Sequence, residues 1–426
     1  MKIEDLYTLF LECSSVSTDT RKIEKDNLFF ALKGDTFNGN AYAEKAINNG
    51  AKFAIIDEAN FVTSKKTILV ANVLETLQEL STYHRAFLNK PIVALTGSNG
   101  KTTTKELIKA VLSKKYNITA TKGNLNNHIG VPLSLLSMTS DTELGIIEMG
   151  ANHQKEIDFL CRIAKPDFGY ITNFGKAHLE GFGGVEGVIR GKCEMYDYLK
   201  ANNKLVFINA NDSIQLENTK NTNSYSFGNE IYNSDVLINF IKATPFVTCQ
   251  YNNLDIQSQL IGDYNFNNIA AAIAIGKYFK VEDLLIKNAI QNYIPSNNRS
   301  QIIEKGSNKI ILDAYNANPT SMNAALLNFE KQQSNYKIAI LGDMFELGKE
   351  AVYEHQNITD LALSLDINKV IFIGENFCES NINSKNAIQF KSFESFKENK
   401  TVIFENASIL IKGSRGMALE RIIEIL

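Results

Sequence analysis

The segment TGSNGKTT, residues 96–103, is the feature that most constrains the fold of this 426-residue chain. It follows an apolar stretch, residues 91–96 (PIVALT), and leads into residues 102–114, which have helical periodicity. A glycine-rich turn between a buried strand and a helix lets backbone N–H groups approach an anion, and the helix N-terminus favours negative charge. The segment therefore predicts a phosphate-binding loop in an α/β domain, with Lys101 on the β- and γ-phosphates and Thr102 on Mg²⁺.

Short apolar segments alternate with helical segments along the chain, and this alternation favours βαβ units with parallel sheets. The candidate strands are residues 27–32, 52–56, 91–96, 144–149, 168–172, Leu205–Asn209, 309–313, 338–341, 370–373 and 402–404. They fall into three groups, so we expect an α/β fold of three domains, at residues 1–85, 86–296 and 297–426. Residues 295–298 (PSNN) are expected to form a linker about which the third domain swings.

Charge and cysteine content exclude several classes of protein. The 44 Lys and Arg residues against 47 Asp and Glu give a net charge of −3, so no nucleic-acid partner is expected. The five cysteines are widely spaced without a C-x-x-C pair, which favours free thiols over a disulfide framework or a zinc site. The longest apolar run, residues 269–275, is too short for a membrane span, and the acidic N-terminus does not fit a signal peptide. We expect a cytoplasmic monomer without membrane insertion.

The phosphate loop has a short form, because Leu95 stands where the general pattern G-x-x-x-x-G-K-[ST] has its first glycine. This form and a series of later motifs resemble the muramyl-peptide (Mur) ligase family over essentially the whole chain. The motifs are GNLNNHIGVPL (123–133), EMGA (148–151), TN (172–173), AHLEGFG (177–183), GKCE (191–194), GDYNFNNIAA (262–271), DAYNANP (313–319), GDMFELG (342–348) and KGSRG (412–416). The last three most resemble the family member that adds D-alanyl-D-alanine, and the D-N-P-[AR] motif of the diaminopimelate-adding member is missing.

The resemblance implies an ATP-dependent amide ligase with ATP and Mg²⁺ as cofactors and an acyl-phosphate intermediate. It implies UDP-N-acetylmuramoyl-tripeptide and D-alanyl-D-alanine as substrates. It also implies an N-terminal UDP-substrate-binding domain, a central ATPase domain with a parallel sheet, and a C-terminal Rossmann-like domain. Two alternatives stay open: another Mur-type or folylpolyglutamate-type ligase that adds a single amino acid, and a nucleotide-dependent switch without amide synthesis.

Three residues are candidates for metal binding and catalysis. Glu148 ends a predicted strand near the phosphate loop, so it is expected to bind Mg²⁺; the alternative is an ordinary exposed glutamate. For His178, in a glycine-rich loop, the resemblance implies a second Mg²⁺, whereas a lone histidine is otherwise often structural. For Lys192 the resemblance implies carbamylation that turns the cation into a metal ligand, and a plain lysine that binds a phosphate or an acid is the alternative.

The remaining candidates are expected around the nucleotide and the substrate. By resemblance, Asn265 and Asn268 contact the adenine side of ATP, Arg299 contacts a phosphate or the ribose, and Asp313 accepts from the ribose hydroxyls. The predicted catalytic residues are Lys101, Glu148, His178, Lys192 and Arg299, and the metal ligands are Thr102, Glu148, His178 and Lys192. The predicted ATP-binding residues are Gly97, Ser98, Asn99, Gly100, Lys101, Thr102, Thr103, Asn265, Asn268, Arg299 and Asp313. The predicted substrate-binding residues are Thr20, Arg21, Lys33, Asn38 and Asn127.

Five residues of the last motifs have no settled role in the sequence. Lys412, Ser414 and Arg415 receive no assignment, although contact with the dipeptide carboxylate or the γ-phosphate is one hypothesis. Asp343 and Glu346 fit a structural role as capping and turn residues as well as they fit a role in the site.

Overall fold

The structure, a computed structural model, describes residues 1–231, 233–295, 299–399 and 404–426. Its strands are β1 (Val16–Ser17), β2 (Leu28–Phe30), β3 (Lys33–Gly34), β4 (Phe37–Asn38), β5 (Phe53–Ile56), β6 (Thr67–Leu69), β7 (Ile92–Thr96), β8 (Ile118–Ala120), β9 (Leu144–Glu148), β10 (Phe168–Ile171), β11 (Leu205–Asn209), β12 (Asn223–Gly228), β13 (Val236–Lys242), β14 (Thr248–Tyr251), β15 (Leu254–Gln257), β16 (Gln301–Lys305), β17 (Asn308–Asp313), β18 (Lys337–Gly342), β19 (Lys369–Ile373), β20 (Ala387–Phe390) and β21 (Ser408–Lys412).

The α-helices lie mostly between these strands. They are α1 (Ile3–Leu11), α2 (Ala43–Asn48), α3 (Val73–Leu88), α4 (Lys101–Leu112), α5 (Gly130–Leu136), α6 (Glu156–Ala164), α7 (Leu179–Phe182), α8 (Val185–Ala201), α9 (Ser213–Asn218), α10 (Asn265–Tyr278), α11 (Asp283–Gln291), α12 (Pro319–Glu330), α13 (Ala351–Ser364), α14 (Glu375–Cys378) and α15 (Phe393–Glu398). Short 3₁₀ segments occur at Thr20–Lys22, Gly39–Tyr42, Ala59–Phe61, Gly348–Glu350, Arg415–Met417 and Leu419–Ile425. In the described part of the chain, none of the helices has the length and apolar composition that crossing a bilayer requires.

The N-terminal sheet is parallel throughout, in the order β1-β2-β5-β6. Its core includes Phe30 of β2 and Leu77 of α3, both of which are fully buried. The same core takes in Leu136 of α5, and Ile129 and Leu133 pack against it. The N-terminal and central parts of the chain therefore share one hydrophobic core.

The central sheet has the order β15-β14-β13-β12-β11-β10-β7-β9-β8. Neighbouring strands are parallel from β8 to β13, and β14 and β15 extend the edge as antiparallel strands. Strand β7 is buried along its whole length, because both faces of a parallel sheet are covered by helices. Val93 and Leu95 belong to the core with α4 and α10, whereas Ile92 and Ala94 belong to the core with α6 and α8.

The C-terminal sheet has the order β16-β17-β21-β18-β19-β20. Strand β16 runs antiparallel to β17, and all other neighbours are parallel. The carboxyl ends of the parallel strands consequently lie at one edge, and the register pairs Asp313 of β17 with Lys412 of β21. Ligands of open α/β sheets collect at such edges.

The structure has more strands than the sequence predicts: β1, β3, β4, β6, β8, β12, β13, β16 and β20 are unpredicted, and two further differences follow. Strand β21 is missing from the prediction, which instead places a strand at residues 402–404; residues 402 and 403 lie outside the described residues. The antiparallel pair β14 and β15 is also unpredicted, because each strand has only four residues, includes polar side chains and lacks an apolar run.

The predicted domain boundaries stay predictions. Residue 85 lies inside α3, and its guanidinium donates from Nε to the backbone oxygen of Ala164 in the central part, at 3.1 Å. Of the predicted linker, residues 296–298 lie outside the described residues, and so does the boundary at 296.

Candidate functional site

A cavity of about 790 Å³ lies where the carboxyl ends of the central strands face the carboxyl ends of the C-terminal strands. Of the residues predicted from the sequence, the lining includes Ser98, Asn99, Gly100, Lys101, Thr102, Thr103, Asn127, Glu148, His178, Asn265, Asn268, Arg299 and Asp313. Gly97 and Lys192 lie outside the lining, as do Thr20, Arg21, Lys33 and Asn38 of the N-terminal part. The structure thus brings the predicted nucleotide and metal residues together and leaves the predicted UDP residues elsewhere.

The phosphate loop joins β7 to α4 and has a backbone that only glycine fits. Gly97 has a φ of +142° and Gly100 a φ of +79°. A Cβ on Gly97 would lie 2.0 Å from Thr172 Oγ1, and one on Gly100 would lie 2.6 Å from Asn268 Oδ1. Both positions therefore need the absence of a side chain as well as the left-handed backbone. The loop ends at the N-terminus of α4, where unpaired N–H groups favour an anion.

Lys101 folds back onto the phosphate loop. Its Nζ donates to the backbone oxygens of Gly97 and Ser98, at 2.7 and 3.3 Å. Burial lowers the pKa of Lys101 to about 8, and the nearby positive charge of Arg299 acts in the same direction. An anion in the loop would therefore gain this ammonium as a partner, in exchange for two carbonyl contacts.

Glu148 at the end of β9 is almost fully buried and is held by several donors. Thr102 Oγ1 donates to Glu148 Oε2 at 2.9 Å, and Asn126 Nδ2 donates to Oε1 at 2.9 Å. Its backbone N–H donates to Thr121 Oγ1 at 3.0 Å. The exposed-glutamate alternative is wrong, because the side chain of Glu148 is only 2% exposed.

The chemistry of these donors fits Mg²⁺, although they form no complete protein cage. A buried carboxylate and a hydroxyl, both hard oxygen donors, face the cavity at Glu148 and Thr102. Within residues 1–231, 233–295, 299–399 and 404–426, no three His, Cys, Asp or Glu residues come together as a metal site. Mg²⁺ is commonly bound by one or two protein ligands together with substrate phosphates and water, which suits this arrangement.

His178 and Lys192 have different surroundings. His178 has a φ of +54°, and its Nδ1 lies 2.5 Å from Glu346 Oε2, a bond that lowers the pKa of Glu346. Lys192 is buried on α8; its Nζ donates to the backbone oxygen of Ala151 at 3.0 Å and lies 4.9 Å from the ring centre of Phe182. Burial holds the pKa of Lys192 well below its usual range, and the charge of Lys101 adds to this effect.

Asn265 and Asn268 form a chain of amide hydrogen bonds behind the phosphate loop. Asn268 Nδ2 donates to Asn265 Oδ1 at 2.8 Å, and Asn265 Nδ2 donates to the backbone oxygen of Ile261 at 2.8 Å. Thr104 of α4 donates to Asn268 Oδ1 at 3.0 Å. Both asparagines line the cavity, so α10 presents a fixed polar surface to a ligand there.

The C-terminal part contributes cations to the same cavity. The guanidinium carbon of Arg299 lies 3.8 Å from the ring centre of Tyr315, and Lys412 Nζ lies 2.5 Å from Asp313 Oδ2. Asp313 Oδ1 also accepts from the backbone N–H of Ser300 at 3.2 Å. Arg415 lines the cavity as well, with its guanidinium bonded to Glu420. Sequence reasoning leaves Lys412 without a role, and the parallel register of β17 and β21 gives it one as the partner of Asp313.

Three other motif residues of the C-terminal part have structural contacts. Asp343 accepts from the backbone N–H groups of Asn376 and Phe377, both at 3.0 Å, and thus caps α14. Ser414 accepts from the backbone N–H of Phe345 at 2.9 Å. Glu346 has a φ of +62°, as expected for a turn, and contacts the central part through His178.

The central and C-terminal parts touch each other directly over the phosphate loop. Asn318 Nδ2 donates to Asn99 Oδ1 at 2.7 Å, across a sequence separation of 219 residues. Farther out, Lys176 Nζ lies 2.6 Å from Glu354 Oε1, in α13. From its place in the motif after Asp313, the sequence predicts that Asn318 helps to close the site, whereas Asn126 receives no role; nothing local predicts the partner of either side chain.

The N-terminal candidates have polar partners of their own. Lys33 Nζ lies 2.9 Å from both Asp57 Oδ1 and Glu58 Oε1, and Asn38 Nδ2 donates to Glu58 Oε1 at 3.0 Å. Arg21, at the start of a 3₁₀ segment with Thr20, is exposed and pairs with Asp19, whose Oδ2 lies 2.8 Å from the guanidinium. Asn127, in contrast, lines the cavity and accepts from the backbone N–H of Gly130 at 2.9 Å.

Comparison with known families gives three matches along the chain. Residues 12–88 match "Mur ligase family, catalytic domain", residues 95–276 match "Mur ligase middle domain", and residues 298–415 match "Mur ligase, glutamate ligase domain". These matches cover all three groups of elements described above.

Curated relatives and solved structures of the same family are similar to this chain over nearly its whole length. The UDP-N-acetylmuramoyl-tripeptide--D-alanyl-D-alanine ligase of Bacillus subtilis (strain 168) is 34% identical, over 96% of this chain and 92% of the relative. That of Rickettsia prowazekii (strain Madrid E) is 33% identical, over 97% and 95%. The crystal structure of MurF from Acinetobacter baumannii superposes with a TM-score of 0.86 at 28% identity, covering 100% of this chain and 98% of that one. The MurF ligase of Thermotoga maritima in complex with ADP gives 0.84 at 25% identity, covering 98% and 97%.

Proposed function

The chain belongs to the Mur ligase family, and from this we propose that it joins D-alanyl-D-alanine to UDP-N-acetylmuramoyl-tripeptide with ATP. The observation that carries the proposal is the 34% identity over 96% of the chain with a ligase of that name. The cavity supports it, because a phosphate loop and cations from a second sheet meet there. Such a site suits the transfer of a phosphoryl group to a carboxylate.

The reaction has two steps that this cavity can support. A carboxylate oxygen of the tripeptide attacks the γ-phosphorus of ATP, so that ADP leaves and an acyl phosphate forms. The dipeptide amine then attacks the acyl carbon, inorganic phosphate leaves, and the amine loses a proton to give the amide. Charge develops on phosphoryl oxygens in the first step, where the loop N–H groups, Lys101 and Arg299 would stabilise it.

Thr102 and Glu148 would hold Mg²⁺, as the buried oxygen donors indicate. When bound, Mg²⁺ neutralises charge on the β- and γ-phosphates. His178 and a carbamylated Lys192 are proposed for a second Mg²⁺. The depressed pKa of Lys192 favours the neutral amine that reacts with CO₂, which supports its modification.

The other substrate contacts are also proposals. Asn265 and Asn268 would face the adenine side of ATP, and Asp313 the ribose, in competition with Lys412. Thr20, Arg21, Lys33 and Asn38 would bind the UDP part in the N-terminal region. We also propose that the protein is a monomer and acts in the cytoplasm.

The test is phosphate release by the purified protein with ATP, Mg²⁺, UDP-N-acetylmuramoyl-tripeptide and D-alanyl-D-alanine, omitting each in turn. Release that needs all four, with a UDP-linked pentapeptide in the mass spectrum, is the expected result. Faster release with free lysine, diaminopimelate or glutamate would assign a different acceptor within the family. No release under any condition would contradict ligase activity.

A further inference from the structure

Lys105 is buried beside the proposed metal site, and no role described above accounts for it. Its side chain is 0% exposed and lies on α4, three residues after Thr102. Its Nζ is 3.2 Å from Glu106 Oε1 and 3.6 Å from Glu148 Oε2. Neither approach has hydrogen-bond geometry, so Nζ makes no hydrogen bond to any described residue. A buried ammonium without hydrogen bonds costs free energy of folding, so its presence needs an explanation.

Lys105 approaches Glu148 from the interior of the protein. Glu148, Thr102 and Asn126 all line the cavity, whereas Lys105 does not. The two hydrogen-bond donors to the carboxylate, Thr102 and Asn126, come from the cavity side. Lys105 therefore offsets the charge of Glu148 without blocking its approach from the cavity.

We propose that Lys105 is a positioning residue that weakens the binding of a free divalent cation at Glu148, so that metal is retained only with nucleotide phosphates. This inference rests on the metal role proposed for Glu148 and Thr102. A cation a few ångströms behind the carboxylate repels a second cation in front of it, and the repulsion is strong because the surroundings are dry. Phosphate oxygens add the negative charge that overcomes it. The site would accordingly accept metal as its complex with ATP.

The proposal is tested by titrating the nucleotide-free protein with Mn²⁺. Binding is measured as the decrease of the electron paramagnetic resonance signal of the free ion. Lys105→Met keeps the length of the side chain and removes its charge, so Mn²⁺ should bind about tenfold more tightly. Glu106→Gln removes the second partner of Lys105 and leaves its charge less compensated, so Mn²⁺ should bind more weakly than to the wild type. Lys109→Met removes an exposed lysine from the same helix and should leave the affinity unchanged.

An unchanged or weakened Mn²⁺ affinity in Lys105→Met would overturn the proposal and leave Lys105 with a structural role only. If Lys105→Met does not fold, Lys105→Gln, which removes the charge but keeps a polar end group, takes its place, and an affinity equal to that of the wild type overturns the proposal. The metal assignment is tested separately by Glu148→Gln in the Lys105→Met background, which should abolish the gained Mn²⁺ binding. Binding that survives Glu148→Gln would place the metal elsewhere, whatever the ligase assay shows.

Discussion

Three residues of the cavity, a glycine, a lysine and a glutamate, each owe their behaviour to their immediate surroundings. Gly100 leaves room for Asn268, Lys101 lies on two loop carbonyls, and Glu148 accepts from a hydroxyl and an amide. Each of these residues is held in position by contacts with the protein, so the site is preorganised for a ligand. Single substitutions at this scale should therefore change ligand affinity more than they change folding.

Replacing Gly100 with alanine should weaken ATP binding by about tenfold or more, because the new Cβ would meet Asn268 and displace it. Gly123→Ala is the matched control: Gly123 also has a positive φ, but nothing lies within 4 Å of its Cβ position. Calorimetric titration with a non-hydrolysable ATP analogue measures both. Equal losses in the two variants would mean that backbone strain alone is responsible.

Activity should depend on dissolved CO₂ if Lys192 is carbamylated. Degassed buffer should lower the rate several-fold and bicarbonate should restore it, since Lys192 is buried with a depressed pKa. Labelled bicarbonate should give a carbamate carbon signal in nuclear magnetic resonance. Lys192→Gln should lose both activity and signal, whereas Lys200→Gln, at an exposed position of the same helix, should keep both. A signal that persists in Lys192→Gln would contradict the assignment.

Helix ends do much of the positioning at the scale of secondary-structure elements. Asn318 begins α12 with a capping box, in which its Oδ1 accepts from the backbone N–H of Ser321 at 2.9 Å. The amide nitrogen of the same side chain reaches Asn99 in the phosphate loop. One residue thus starts a helix of the C-terminal part and contacts the loop of the central part.

Two substitutions at Asn318 should separate these tasks. Asn318→Asp keeps the cap but cannot donate to Asn99, so stability should stay near that of the wild type while nucleotide affinity falls several-fold. Asn318→Ala should also lose about 1 kcal/mol of unfolding free energy with the cap. Ser392→Ala, in the capping box of α15 outside the large cavity, should lose stability only. Unchanged nucleotide binding in Asn318→Asp would show that the hydrogen bond donated to Asn99 is dispensable, since Asn99 Nδ2 can still donate to position 318.

The packing of α1 and α3 against the central part should be sensitive to acid through His84. Its Nε2 lies 2.9 Å from the backbone oxygen of Met138, which only accepts, so Nε2 carries the proton and Nδ1 accepts from Tyr7 at 3.0 Å. Burial lowers the pKa of His84 below its ordinary value of 6.5. Below that pH the unfolded chain binds a proton that the folded chain does not, so stability is lost as pH falls through the ordinary histidine pKa.

Chemical denaturation of the wild type at about pH 7.5 and pH 5.5 should reveal this loss. The loss of stability between the two pH values should be smaller in His84→Gln. Part of the loss should remain, because burial also lowers the pKa of His355. His128→Gln replaces an exposed histidine and should leave the difference unchanged. An equal loss in His84→Gln would place the acid sensitivity elsewhere.

The whole molecule brings its reaction centre together from distant parts of the chain. Among the residues that the structure describes, three ion contacts join the central and C-terminal parts: Lys176 with Glu354 at 2.6 Å, Lys331 with Asp263 at 3.0 Å, and His178 with Glu346 at 2.5 Å. Because such contacts are few and partly exposed, they favour one arrangement without locking it. The proposed swing of the C-terminal domain needs this balance.

Glu354→Gln should loosen the nucleotide-free protein, because Glu354 is buried and faces Lys176 across the junction. Small-angle scattering should show a larger radius of gyration than for the wild type, and ATP with the UDP-substrate should restore compaction. Glu186→Gln, which affects a pair within α8, is the control and should scatter like the wild type. No change in either variant would mean that this contact does not influence the arrangement of the domains.

The sequence predicts a structural feature well when neighbouring residues determine it, and poorly when the feature depends on residues far apart in the chain. The buried strands β7, β9 and β11 were predictable, since all of their residues are apolar or buried on both faces of a parallel sheet. Strand β21 was missed although its pattern is as apolar. The contact of Asn99 with Asn318 was not predictable, because no local rule relates residues 219 positions apart.

The hydrophobic core that Leu136, Ile129 and Leu133 share with the N-terminal sheet has a consequence for recombination between relatives. An exchange of the first 85 residues alone would pair one parent's sheet with another parent's α5. The side chains at this interface would then come from two different proteins and would not pack well against each other. We expect such a chimera to lose solubility rather than to change its substrate specificity. A chimera that folds has to take residues 129–136 from the same parent as the N-terminal segment, although the two segments are separated in sequence.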